Sequence, residues 1–192
     1  SVISMNEESS LELVIGNFSV SDVDIPAQTL SLIVQPGTNY TYSGNRVYPV
    51  LNYNGALYVN VKVSDGQAES ANFQALVTVL NLNDPPVLAL PANRSVNERE
   101  VYTGQLTISD VDVTDNLSIT PVTKPSWLNY NASNKTLYGT PSQWDVGAHQ
   151  VTVRGSDGKT VVDSTFTLTV VNVDNPPVIT SVPVTTADDY ET

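Results

Sequence analysis

One acidic pattern runs through the chain twice. Asn6-Glu7, Ser21-Asp22-Val23-Asp24, Ser64-Asp65-Gly66 and Asn83-Asp84-Pro85-Pro86 return as Asn97-Glu98, Ser109-Asp110-Val111-Asp112, Ser156-Asp157-Gly158 and Asp174-Asn175-Pro176-Pro177. The offsets are 98 − 7 = 91, 110 − 22 = 88, 157 − 65 = 92 and 176 − 85 = 91. A spacing this regular means tandem modules, each carrying the same oxygen-bearing side chains at the same structural points.

Within each module the local pattern is that of strands. Alternating runs rich in Val, Ile, Leu, Thr and Tyr cover 11–15, 29–34, 57–63 and 73–80, then 105–108, 117–121, 149–154 and 166–171. Clusters of Gly, Pro, Asn and Asp separate them, as in antiparallel sandwiches. Pro85-Pro86 and Pro176-Pro177 each close a last strand, because proline cannot donate to a ladder. The pattern predicts an all-β chain of two tandem seven-stranded Greek-key, immunoglobulin-like sandwiches over residues 1–86 and 87–177. Residues 178–192 repeat the opening of the second module, Pro177-Val178-Ile179 against Pro86-Val87-Leu88, and are expected to begin a further, truncated repeat.

Charge narrows the partners. The 192 residues carry a formal charge of −12, which makes nucleic acid and anionic membrane poor partners and cations natural ones. With no cysteine and one histidine, zinc and thiolate sites are not expected. No apolar run is long enough to span a bilayer, so no direct membrane insertion is expected. His149 lies in an alternating run with no nucleophile or carboxylate pair placed around it, and the chain does not read as an enzyme.

Strand parity sorts the carboxylates. Seven strands running alternately down and up place Glu7 and Glu8, after the first strand, at one pole with the linker residues Asn83 and Asp84. The Asp22-Val23-Asp24 and Asp65 loops fall at the other pole, as do Asp110, Asp112 and Asp157 in the second module. End-to-end stacking is expected to set Glu7, Glu8, Asn83 and Asp84 opposite Asp110, Asp112 and Asp157, a set of hard oxygen donors suited to calcium. Asp22, Asp24 and Asp65 form the matching upper set, and Glu98, Glu100, Asp145, Asp174 and Asn175 the matching lower one. The competing explanation is that Asp in Ser-Asp-Gly or Asn-Asp-Pro bonds its own backbone in a turn. Asp115 and Asp163 have no such company and read as solvated surface.

These residues resemble those of the cadherin superfamily. Its repeats carry a first-strand Glu, a DxD loop, an xDx loop and an acidic linker before proline, found here at Glu7/Glu98, Asp22-Val23-Asp24/Asp110-Val111-Asp112, Asp65/Asp157 and Asn81-Leu82-Asn83-Asp84/Asn172-Val173-Asp174-Asn175. The first module resembles cadherin-like repeats of long bacterial surface proteins. The second resembles the dystroglycan-type cadherin-like subtype through Trp127-Leu128, Gly139-Thr140-Pro141, Asp145-Val146-Gly147 and Asp157-Gly158. The resemblance implies a cadherin-like sandwich, an extracellular or cell-surface setting, calcium at the joint, and adhesion to another surface protein. Asn52-Tyr53-Asn54 stands where cadherins carry an acidic motif, so one or two ions are expected, bound with Kd of about 10⁻⁴–10⁻³ M.

A second reading is a carbohydrate-binding module attached to a secreted polysaccharide-active enzyme. Tyr40 and Tyr42 lie on one strand face, with Tyr48 across the turn Ser43-Gly44-Asn45. Exposed, such a row stacks on sugar rings; buried, it is ordinary core. Trp144 is a further candidate for sugar contact, whereas Trp127 is expected in the core of the second module. A third reading is an inert spacer whose aspartates only make turns.

Overall fold

The computed structural model describes residues 2–23, 28–174 and 176–181. It divides into two compact units, Ser1–Asp84 with Val111–Val113, and Pro85–Asp110 with Thr114–Thr192. Both are built from strands, so the fold class is all-β, as the alternation predicts.

Alternation decides what goes inside the first unit. In β6 (Gly55–Ser64) Leu57, Val59 and Val61 are buried, and in β7 (Phe73–Leu80) so are Ala75, Val77 and Val79, while Tyr58 and Leu76 between them face outward. One sheet takes the order β1 (Ile3–Asn6), β7, β6, β3 (Ser31–Val34); the other is β2 (Leu11–Glu12), β5 (Arg46–Pro49), β4 (Tyr40–Ser43). Met5, Leu32 and Val34 from the first sheet and Tyr40 and Val47 from the second share one core. The first and last strands run parallel, Ile3 beside Val77 and Asn6 beside Leu80. That pairing brings the end of β1 and the chain leaving β7 to the same pole.

The second unit repeats the plan with two breaks. Its four-stranded sheet is β12 (Ser118–Thr123), β15 (Gly147–Ser156), β16 (Val161–Val171), β9 (Ser95–Asn97), and β9 is again parallel to the last strand. Its three-stranded sheet is β10 (Tyr102–Gln105), β14 (Thr136–Gly139), β13 (Leu128–Asn131). The predicted single strand over 105–108 is divided at Leu106, whose N–H goes to the Lys135 carbonyl, and β11 (Thr107–Ser109) pairs instead with β8 (Val87–Ala89). The seven expected strands therefore appear here as nine segments. Trp127 packs against this core as expected, and Gly139 is required beside it, since a Cβ at that position would lie 2.3 Å from the Trp127 carbonyl oxygen. Residues 178–181, the described part of the expected third repeat, form no strand. Among the described residues no helix is long and apolar enough to cross a membrane.

Candidate metal-binding carboxylates

The parallel first-to-last pairing positions the strand-end glutamates. Glu7 donates its N–H to the Leu80 carbonyl (2.9 Å), and its Oε1 accepts the Leu82 N–H at 2.6 Å. Its Oε2 faces the Asn54 amide at 3.5 Å, and Asn54 also donates to Asn81 Oδ1 at 2.7 Å. In the second unit Glu98 donates to the Val171 carbonyl (2.9 Å) and accepts the Val173 N–H at 3.0 Å. Only 2% of Glu7 and 4% of Glu98 is exposed. Each carboxylate thus captures the main chain two residues beyond the last strand, a structural duty that motif reading does not reveal.

The residues that follow, Glu8 and Arg99, are both left-handed, with φ of 58° and 64°. The turn is the same and the charge opposite. Glu8 is exposed, while Arg99 donates to Gln143 Oε1 at 2.6 Å and comes within 4.0 Å of Glu98. In the linker the Asn83 amide donates to the Asp84 carbonyl at 3.0 Å. The Asp84 N–H donates to Asp112 Oδ2 at 3.0 Å, and Asp112 is buried. Hydrogen bonds therefore gather Glu7, Asn54 and Asn81, and join Asp84 to Asp112.

In the second unit Asp110, Asp115 and Asp157 each place a carboxylate oxygen within 4.8 Å of the others. Asp157 Oδ1 accepts the N–H groups of Lys159 (2.7 Å) and Thr160 (2.5 Å), and its Oδ2 accepts the Thr160 hydroxyl at 2.7 Å. Asp65 does the same with Gln67 (2.7 Å) and Ala68 (2.6 Å), and these two N–H groups hold its carboxyl below the ordinary carboxylate range. Gly66 and Gly158, at φ of 91° and 93°, supply the left-handed step that both turns need. The turn explanation therefore accounts for Oδ1 of each aspartate.

Asp115 corrects the sequence reading. It was expected on the solvated surface; instead its side chain is only 6% exposed, joins Asp110 and Asp157, and accepts the Lys159 ammonium at 2.8 and 3.0 Å. Lys159 offsets one of three negative charges. The remaining donors are all oxygen, a set that fits a hard cation and not zinc.

Of the upper set in the first unit, Asp22 and Asp65 line one cleft of about 200 Å³; Asp24 lies outside the described residues. Of the lower set, Asp145 Oδ2 accepts both the Ser142 hydroxyl (2.7 Å) and the Ser142 N–H (2.8 Å), which lower its pKa and cap the 3₁₀ turn Gln143–Asp145. Glu100 Oε2 accepts the Asn97 amide at 3.2 Å. Asn175 lies outside the described residues.

The aromatic row does not form. Tyr42 faces Val47 and Thr41 faces Tyr48 across the hairpin, so Tyr48 points away from the face of Tyr40 and Tyr42. Tyr40 is buried, donating to the Gln35 carbonyl at 2.6 Å and accepting the Asn60 N–H at 3.1 Å. Trp144, by contrast, is 86% exposed on the 3₁₀ turn. His149 is structural, with Nε2 2.6 Å from the Asp145 carbonyl oxygen and its ring edge-on to Trp127.

Residues 85–171 match a family model described as a putative Ig domain. No curated protein matches the chain. Among solved structures it is similar to human mucin-like protocadherin EC1-2, at 14% identity and TM-score 0.48, covering 90% of this chain and 96% of that one. It is similar to the human desmocollin-1 ectodomain at 13% identity and TM-score 0.41, over 91% of this chain and 39% of that one. It is also similar to the endo-fucoidan hydrolase MfFcnA4 from glycoside hydrolase family 107, at 21% identity and TM-score 0.42, over 90% of this chain but only 28% of the hydrolase's length.

Proposed function

We propose that the chain is a calcium-binding structural and adhesive repeat segment of a bacterial extracellular or cell-surface protein, without catalysis of its own. The reading takes residues 1–86 and 87–177 as cadherin-like modules, the second of the dystroglycan type, with a further repeat beginning at 178. The observation that carries it is the convergence of Asp110, Asp115 and Asp157 within 4.8 Å. Carboxylates held this close repel, and a divalent cation removes that cost. In this reading calcium takes oxygens from Asp110, Asp112, Asp115 and Asp157, and from Glu7, Glu8, Asn83 and Asp84. Binding stiffens a linker that would otherwise act as a hinge.

Calorimetric titration tests it. Wild-type chain should bind calcium with Kd of about 10⁻⁴–10⁻³ M, and Asp110→Asn with Asp115→Asn should abolish the signal. No heat from the wild type would reduce these residues to the turn aspartates of a spacer.

One observation favours a second reading, that of a carbohydrate-binding module on a polysaccharide-active enzyme: Trp144 offers a bare indole to solvent. Retention on insoluble polysaccharide that disappears in Trp144→Ala would support it; equal retention of both proteins would not.

A further inference from the structure

The outer face of the four-stranded sheet differs between the units. An offset of 92, the one that carries Asp65 to Asp157, sets Tyr58 at Gln150, Asn60 at Thr152 and Lys62 at Arg154. In the second unit, side chains across β15 and β16 satisfy one another on this face. Gln150 donates to Thr167 Oγ1 at 3.1 Å, and the hydroxyls of Thr152 and Thr165 meet at 2.8 Å. Arg154 donates to both oxygens of Asp163 at 2.7 Å. In the first unit the corresponding pair is Tyr58 opposite Leu76, 55% and 51% exposed. Directly opposed residues stand about 5 Å apart at Cβ, so ring and side chain form one apolar step facing solvent. It lies on β6 and β7, the two inner strands of the sheet, with β1 and β3 of the same unit at the edges.

Beside that step stands a set of oriented amides. Asn60 lies opposite Gln74, about 7 Å along the strands from Tyr58 and Leu76. Its Oδ1 accepts the side-chain amides of Asn72 (3.2 Å) and Gln74 (3.4 Å), and its Nδ2 donates to the Pro36 carbonyl at 2.9 Å. Asn60 thereby holds Asn72 and Gln74, each of which has a second N–H and a carbonyl oxygen to offer. The bordering charge, Lys62, is paired with Glu69 at 3.0 Å. An exposed aromatic ring next to fixed amides is the chemistry that receives a sugar, whose C–H face lies on the ring while its hydroxyls bond the amides. The formal charge of −12 disfavours acidic polysaccharide and leaves neutral glycan as the matching ligand. We propose that the outer face of β6 and β7 binds a neutral glycan, one sugar ring stacked on Tyr58 against Leu76 with its hydroxyls on Asn72 and Gln74. The proposal shares its ligand class with the carbohydrate reading but not its residue, Trp144, and it needs no metal.

Titration of the full chain in chelator, followed by backbone amide NMR shifts, tests the inference. The probes are cellohexaose, xylohexaose and mannohexaose, with polygalacturonate as the acidic comparison. At least one neutral hexasaccharide should shift residues of β6 and β7 saturably, and polygalacturonate should not. Tyr58→Ala, a change at an exposed position whose fold a melting curve checks, should weaken binding about tenfold or more. Tyr58→Phe, which keeps the ring, should bind nearly as the wild type does, and so should Trp144→Ala. Loss in Trp144→Ala with full binding in Tyr58→Ala would overturn this site and keep the carbohydrate reading. A wild type that binds none of the three hexasaccharides, one that prefers polygalacturonate, or a mass average that rises with concentration through Tyr58 and so makes a second copy the partner would also overturn the proposal.

Discussion

The buried glutamates show what a motif residue does before any ligand arrives. Glu7 and Glu98 hold the main chain leaving the last strand of each unit, so their removal should cost stability in the absence of metal. Replacing Glu7 with Ala leaves the Leu82 N–H without its acceptor and should destabilise the first unit by about 1–3 kcal/mol in chelator. Glu7→Gln, which keeps the acceptor, should lose less. Denaturant melts of the two variants separate the outcomes, and equal losses would assign the whole effect to charge. Asp65 and Asp145 give a pH signature. Both have folded pKa values lowered by hydrogen bonds to the carboxylate. Their contribution is complete above the usual aspartate pKa of about 3.9 and is lost as pH falls through the lower folded values. Carboxyl carbon shifts followed by NMR should show both midpoints below about 3.9; midpoints at or above it would contradict the hydrogen-bonding pattern. Asp115 escaped sequence reading for a physical reason. It belongs to no repeated motif, and its burial depends on a pairing with Lys159 across the loops, which nothing in the linear pattern announces.

Strands were legible wherever one face is buried. Leu57, Val59 and Val61 alternate with outward-facing residues and set the register of β6 without help from anything distant. Legibility failed where pairing, not alternation, decides. The division of the second unit's strands at Leu106 follows from β8 taking β11 as its partner. The face on which Tyr48 lies follows from the hairpin register set at Gly44-Asn45, which places Tyr48 opposite Thr41. Gly139 was legible as part of a motif, though its cause is steric. Gly139→Ala drives a methyl group into the Trp127 backbone and should cost about 1–3 kcal/mol, seen as a lower denaturant midpoint for the second unit. A variant as stable as wild type would mean that β13 and β14 shift apart freely.

At the scale of the whole molecule the proposed calcium reading predicts that stability depends on dissolved cations. At a calcium concentration about a hundredfold above Kd, binding to the folded form alone adds about 2.7 kcal/mol. The melting temperature should therefore rise by several degrees with calcium and fall back with chelator. Asp110→Asn/Asp115→Asn should melt at one temperature in both conditions, and a wild type equally indifferent would exclude calcium as a stabilising ligand. The repeat itself was plain in the sequence because its markers are rare residue types at fixed spacing.

The parallel alignment of β1 with β7 and of β9 with β16 also has a mechanical meaning. Tension applied at the two ends of a unit pulls those neighbouring strands lengthwise past one another, so the rungs between them bear load together and do not peel one by one. The first unit aligns four residue pairs in this way; the second aligns three, and the three rungs between β8 and β11 stand ahead of them on the same pulled chain.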